Sequence, residues 1–146
     1  MQPRGIRNCN PTNIRRSKDN WLGLAFNQTD DTFFQFRDAT FGIRAAVIIL
    51  LGYQDKHHCH TIRDIIDRWA PPNENDTDSY VKAVSLAAGV GEDAPVDVHR
   101  YTVMMPLVKA IIWHENGQNP YSQDIIDKGL ELAGIHKPDD VNQSTV

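Results

Sequence analysis

The chain has 146 residues, 40% of them hydrophobic and 23% charged, with a formal net charge of −4. That length supports one domain with its own core, and the acidic balance argues against bulk attraction to nucleic acid or to anionic membranes. The longest apolar run, 45–51, is far too short to insert across a bilayer. The start, Met1-Gln2-Pro3-Arg4, lacks a signal-peptide pattern, so the protein is expected to be made in the cytoplasm and to reach any other compartment by another route. Cys9 and Cys59 allow one disulfide but no framework, and reduced thiols are expected.

Residues 4–16 are rich in Asn, Gly and Pro with no helical or strand period, which reads as an ordered loop. Its asparagines can bind their own backbone or present amides to a polar ligand. Segments 21–26 and 32–36 read as the strands of a β-hairpin joined by 27–31, with Phe34 and Phe36 on one face and Phe33 opposite. Residues 40–54 are apolar nearly all round and long enough for a buried helix. Arg44 is the odd member there and needs an anionic or carbonyl partner, so a structural ion pair is expected. His57-His58-Cys59-His60 follows. Four adjacent residues cannot easily converge on one ion, and no spaced second pair exists, so a polar loop without a metal is expected.

Thr61 with Asp64 signals a helix start, with Ile62, Ile65, Ile66 and Trp69 as its stripe and Pro71-Pro72 as its end. Asp76 or Thr77 can cap the next helix, which buries Tyr80, Val81, Val84 and Ala88 and stops at Gly89. After a connection over 89–100, a helix is expected over 106–116, with Pro106 in its first turn and Gly117 just past its end. Val108, Ile111, Ile112 and Glu115 lie on one face of it. A carboxylate on a core-facing stripe, at the helix end where the dipole disfavours negative charge, has the surroundings a general acid needs. A last helix is expected over about 119–133, with Ile125, Ile126, Leu130 and Ala133 inward and Gly134 as its stop. The sum is an α+β, mostly α fold of about five helices and one small β-hairpin: one domain over 1–136, then a flexible tail over 137–146.

Several chemistries find no template: there is no Gly-x-Ser-x-Gly elbow, no phosphate-binding glycine loop and no His-Glu-x-x-His. What remains is carboxylate chemistry in a polar cleft with aromatic walls, without a cofactor. Trp21, Trp69, Tyr80 and Trp113 can stack on sugar or peptide faces, and Asn8, Asn10, Asn13, Asn73 and Asn75 can bond hydroxyls and amides. That suits hydrolysis of glycan or peptidoglycan, where one protonated acid at the scissile bond is the minimum. Of four glutamates, Glu115 and Glu74 are the candidates for that acid, with Asp76 as an accessory carboxylate.

Arg4-Gly-Ile-Arg-Asn-Cys-Asn-Pro-Thr-Asn-Ile-Arg15, then Trp21, Phe41-Gly-Ile-Arg-Ala45, Thr61-Ile, Arg68-Trp-Ala-Pro-Pro-Asn-Glu-Asn-Asp-Thr77, Tyr80, His114-Glu-Asn-Gly117 and Pro120-Tyr121 form a series over roughly residues 4–126. The series resembles a lysozyme-like domain family found in phage virion-associated proteins and in secreted antibacterial effectors. Thr12 stands where that family's pattern has a glycine. The resemblance implies a lysozyme-type fold, peptidoglycan as target, bacteriolytic action in the periplasm or at the cell wall, delivery by a virion or a secretion system, and an immunity protein as a further partner. The stretch 110–116 is also similar to the Glu-Ser helix end of lytic transglycosylases, with Asn116 in place of Ser. On this footing Arg7, Asn8, Asn10, Asn13, Trp21, Arg44, Trp69, Asn75, Thr77, Tyr80, His114, Asn116 and Tyr121 are expected to contact substrate. Two other readings stay open: an endopeptidase that cuts the stem-peptide cross-links from the same cleft, and a non-catalytic wall-binding or virion structural module.

Overall fold

A computed structural model describes residues 2–73 and 76–139, which form α1 (Arg4–Arg7), α2 (Ala39–His57), α3 (Ile62–Trp69), α4 (Thr77–Ala88), α5 (Tyr101–Asn116) and α6 (Gln123–Leu132). The fold is mostly helical. None of these helices is long and apolar enough to cross a membrane.

Local signals set most of the helix ends. Thr61 Oγ1 accepts the Asp64 N–H at 3.0 Å, Asp76 accepts the Ser79 N–H at 3.3 Å, and Ser122 Oγ accepts the Ile125 N–H at 3.3 Å. Each satisfies a donor that the helix itself leaves open. At the other ends Gly89 and Gly117 take left-handed φ values of 71° and 69°, which glycine adopts at no steric cost. α5 starts five residues before the expected Pro106. Its apolar stripe continues upstream through Met104, fully buried one turn before Val108, and that burial offsets the one backbone bond the proline removes inside the helix. α6 starts at Gln123 rather than near residue 119, and Ile125 is 37% exposed rather than inward. Residues 4–7, expected as loop, make one helical turn.

The expected β-hairpin does not form. Segments 21–26 and 32–36 meet at a single antiparallel bridge, Leu24 with Phe36, and Phe33 bridges to Arg15. Side chains take over the backbone groups that a strand ladder would use. Gln28 Nε2 donates to the Ala25 and Gln35 carbonyls, and the Gln35 N–H donates to Gln28 Oε1. Asp30 Oδ1 accepts from the Thr32 and Phe33 N–H groups. With these groups satisfied locally, a regular ladder has nothing left to offer them.

The main core joins α2, α3, α4, α5 and α6 through fully buried residues such as Ile43, Leu50, Ile65, Val81, Ile111, Ile112 and Ile126. α2 and α6 approach so closely that a β-carbon on Gly129 would stand 2.4 Å from Ile43 Cγ2. Gly129→Ala is therefore expected to overpack this contact and to cost about 1–3 kcal/mol, read as a lower urea midpoint with an unchanged slope. A smaller cluster of Ile14, Phe34, Phe36, Ala45 and Ala46 fastens the segment before α2 that holds Ile14, Phe34 and Phe36 to that helix.

Asp30 ties that N-terminal segment together. Arg4 grips it bidentately at 2.7 and 2.6 Å, and Asn8 Nδ2 donates to it at 2.9 Å. The Arg4 guanidinium, with the backbone N–H of Phe33 next, holds the Asp30 carboxyl far below the usual carboxylate range. A group depressed in this way stabilises the fold above its unfolded value of about 3.9, and that stability is lost as pH falls through and below it. Thermal melts between pH 7 and 2 are expected to fall on acidification for the native chain, and to start lower but fall less for Asp30→Asn.

Candidate functional site

Three separate parts of the chain meet at Glu115, in the last turn of α5. Asn13 Nδ2, from the N-terminal loop, donates to Glu115 Oε1 at 3.1 Å. The Tyr80 hydroxyl, from α4, donates to Oε2 at 3.0 Å. Each carboxylate oxygen thus has one protein donor, which replaces part of the water lost when Glu115 became half-buried. The Tyr80 hydroxyl is itself pushed well above the ordinary tyrosine range, by burial first and the Glu115 charge second. It keeps its proton at any physiological pH and stays a donor. The Tyr80 ring is stacked on His114 with centroids 3.6 Å apart, which fixes its plane behind the carboxylate.

Asn13 reaches Glu115 because its backbone is left-handed, with φ of 56°. Asparagine tolerates this conformation better than most residues. Thr12, where the family pattern has glycine, is not left-handed; Asn13 carries the positive φ instead. Asn10 holds the loop in shape. It is fully buried, its Nδ2 donates to the Ile14 and Phe34 carbonyls, and its Oδ1 accepts the Ile14 N–H. Asn116 fastens the loop to α5, its Nδ2 donating to the Pro11 carbonyl at 2.7 Å and to the Ile112 carbonyl at 2.9 Å.

Glu115 opens on a cleft of about 260 Å³ lined by Thr12, Asn13, Ile14, Arg15, Phe33, Ile49, Tyr53, Trp69 and Ala70. Trp69 meets Tyr53 edge to face at 6.4 Å, making an aromatic wall opposite the polar loop. Among the described lining residues Glu115 is the one carboxylate.

No known family profile matches the chain. It is 39% identical over 131 residues to Protein P5 of Pseudoalteromonas phage PM2, a match that covers 88% of this chain and 80% of that protein. The chain belongs to the family of this Protein P5.

In this Protein P5 relative, the residues expected to contact substrate divide by position. Asn13 and Trp69 line the cleft with Glu115, Tyr80 stands behind the carboxylate, and exposed His114 covers Tyr80. Asn8, Asn10, Asn116 and Thr77 have other employment. Asn8 serves Asp30 and Gln35, Asn10 and Asn116 bind backbone, and buried Thr77 donates to the Ala70 carbonyl at 2.6 Å. Asp76 caps α4, both its oxygens taken by Ser79, and does not line the cleft. Arg7 is exposed away from the cleft, and Tyr121 packs on the main core, where burial pushes its hydroxyl up to about 12. Trp21 and Arg44 line a different groove, and Arg44 lacks the expected ion pair among the described residues. Glu74 and Asn75 lie outside the described residues. Cys9 and Cys59 are both free thiols. His58 caps the end of α2, and no group of three or more His, Cys, Asp or Glu among the described residues is placed to hold a metal. Sequence reasoning missed Thr12, Ile14, Arg15, Phe33, Ile49, Tyr53 and Ala70. Ile49 and Tyr53 stand four apart on α2 and so share one face of that helix, the signal that could have placed them together.

Proposed function

We propose that this protein is a peptidoglycan hydrolase that cleaves the glycan strand, with Glu115 as the proton donor to the glycosidic oxygen. The observation that carries this reading is the Glu115 carboxylate at an aromatic-walled cleft, held by Asn13 and Tyr80 from distant parts of the chain. Such fixed positioning serves proton transfer at a scissile bond, and Trp69 and Tyr53 offer ring faces on which a sugar can stack. The lysozyme-like resemblance of the motif series supports the same target. With Glu115 the one carboxylate among the described lining residues, the lytic transglycosylase branch fits better than a two-carboxylate lysozyme. In that branch Glu115 gives its proton to the leaving oxygen. It then takes the proton of the sugar's own hydroxyl as that oxygen closes on the anomeric carbon.

The test is mass spectrometry of sacculi digested by the purified protein. Anhydro muramic ends establish the transglycosylase and reducing ends the lysozyme. Intact glycan with cut stem peptides would replace both by the endopeptidase. The phage origin of the relative favours a second reading, a virion structural module that binds the wall without cutting it. Expression directed to the periplasm separates these, since lysis there and not from the cytoplasm requires an enzyme acting on the wall. Under either reading the protein acts outside the cytoplasm after delivery by a virion or secretion machine.

A further inference from the structure

We infer that the groove formed by Trp21, Arg37 and Arg44 is a carboxylate-binding site, which takes an acidic, aliphatic peptide such as the peptide branches of the polymer in the neighbouring cleft. The assignment of that polymer rests on the cell-wall reading above.

The carrying observation is an unbalanced charge. Among the arginines, only Arg44 and Arg63 are half-buried; the others are exposed. Arg63 has three carboxylates within reach, Asp78 at 3.2 Å, Asp93 at 3.2 Å and Glu92 at 3.6 Å. Arg44 has no hydrogen-bonded or ionic partner among the described residues. A partly desolvated guanidinium without a counter-charge favours an anion from outside the chain. Its groove adds donors and no acid. Arg37 lines it, held over the Phe41 ring at 5.4 Å, and Trp21 keeps a buried indole N–H with no acceptor. Leu22, which is 52% exposed, Leu24 and Ile48 form an aliphatic flank, with Asn20 and Gly23 completing the lining. The guanidinium fork matches a carboxylate or a phosphate equally. The aliphatic flank selects the carboxylate of a small apolar peptide, since a bare phosphate would leave it uncovered.

The groove's place supports the same occupant. Trp21 of the groove and Ile49 and Trp69 of the Glu115 cleft pack on the same small cluster around Ile14, Phe34 and Phe36, which places the two surfaces beside one another. A glycan bound in the cleft would bring its branch peptide onto the groove.

Calorimetry on Glu115→Gln protein, which binds without turnover, tests the site with three probes: a disaccharide tetrapeptide with free carboxyls, the same compound with its carboxyls amidated, and inorganic phosphate. The free acid is expected to bind about tenfold more tightly than the amide, the size of one charge-assisted contact. Arg44→Gln should erase that difference and Arg44→Lys restore part of it. Arg37→Gln, at an exposed residue, carries the same test if Arg44→Gln does not fold. Equal binding of acid and amide would overturn the proposal, and so would phosphate competing at the concentration at which the peptide binds. Acid-selective binding without glycan cleavage by the native protein would leave the groove standing and remove the Glu115 reading. Cleavage without acid selectivity would do the reverse.

Discussion

Glu115→Gln is expected to lower the rate of glycan cleavage by about 10²–10⁴-fold, the usual worth of a positioned proton donor. The amide keeps the size of the carboxylate and one acceptor for the Asn13 amide, and the Tyr80 hydroxyl can rotate to accept from the new NH2, so the fold and substrate affinity should be nearly unchanged. The loss should therefore appear in kcat rather than in KM. Turbidity loss of purified sacculi, followed with the native and variant proteins at several substrate concentrations, separates the two constants. Tyr80→Phe and Asn13→Ala each remove one of the two donors on the carboxylate. Each should cost less than loss of Glu115 itself, because the other donor still holds one oxygen. Unchanged turnover in Glu115→Gln would leave this carboxylate a structural acceptor and favour the non-catalytic module.

The second large effect is one of stability. Asn10→Ala is expected to cost about 3 kcal/mol, since it removes three buried hydrogen bonds at once and leaves the Phe34 carbonyl and the Ile14 N–H without that partner, while the Ile14 carbonyl keeps the Phe34 N–H. Urea unfolding reads this directly. The same change should also depress activity in protein that remains folded, because Asn13 reaches Glu115 from the turn that Asn10 closes, its N–H bonded to the Asn10 carbonyl at 3.0 Å. Asn10→Asp is the informative comparison. It keeps an acceptor for the Ile14 N–H but loses the donor to both carbonyls, so it should recover little of the lost stability.

The helices were largely legible in the sequence because their signals are local. Thr61, Asp76, Gly89 and Gly117 act through bonds or dihedral angles within a few residues, and the stripes of α3 and α4 report burial through period alone. The expected β-hairpin is absent for a matching reason. The alternation of 21–26 and 32–36 was present, but Gln28, Asp30 and Gln35 competed for the backbone groups, and that competition leaves no periodic trace. Asparagine as a type permits either backbone bonds or ligand contacts. Type cannot distinguish Asn13, which faces Glu115, from Asn10 and Asn116, which bind backbone carbonyls from distant stretches. Arg44 failed in the opposite direction: its position inside an apolar helix implied an internal partner, and the structure supplies none among the described residues.

The bond from Asn13 to Glu115 spans 102 residues, and that from Asn116 to the Pro11 carbonyl spans 105. The helices can begin to form from contacts close in sequence, whereas the cleft waits on closures of more than a hundred residues. A chain still being synthesised, or one cut anywhere between its two ends, holds the parts of the site without the site. In a refolding experiment, helical signal should therefore return before the ability to act on sacculi.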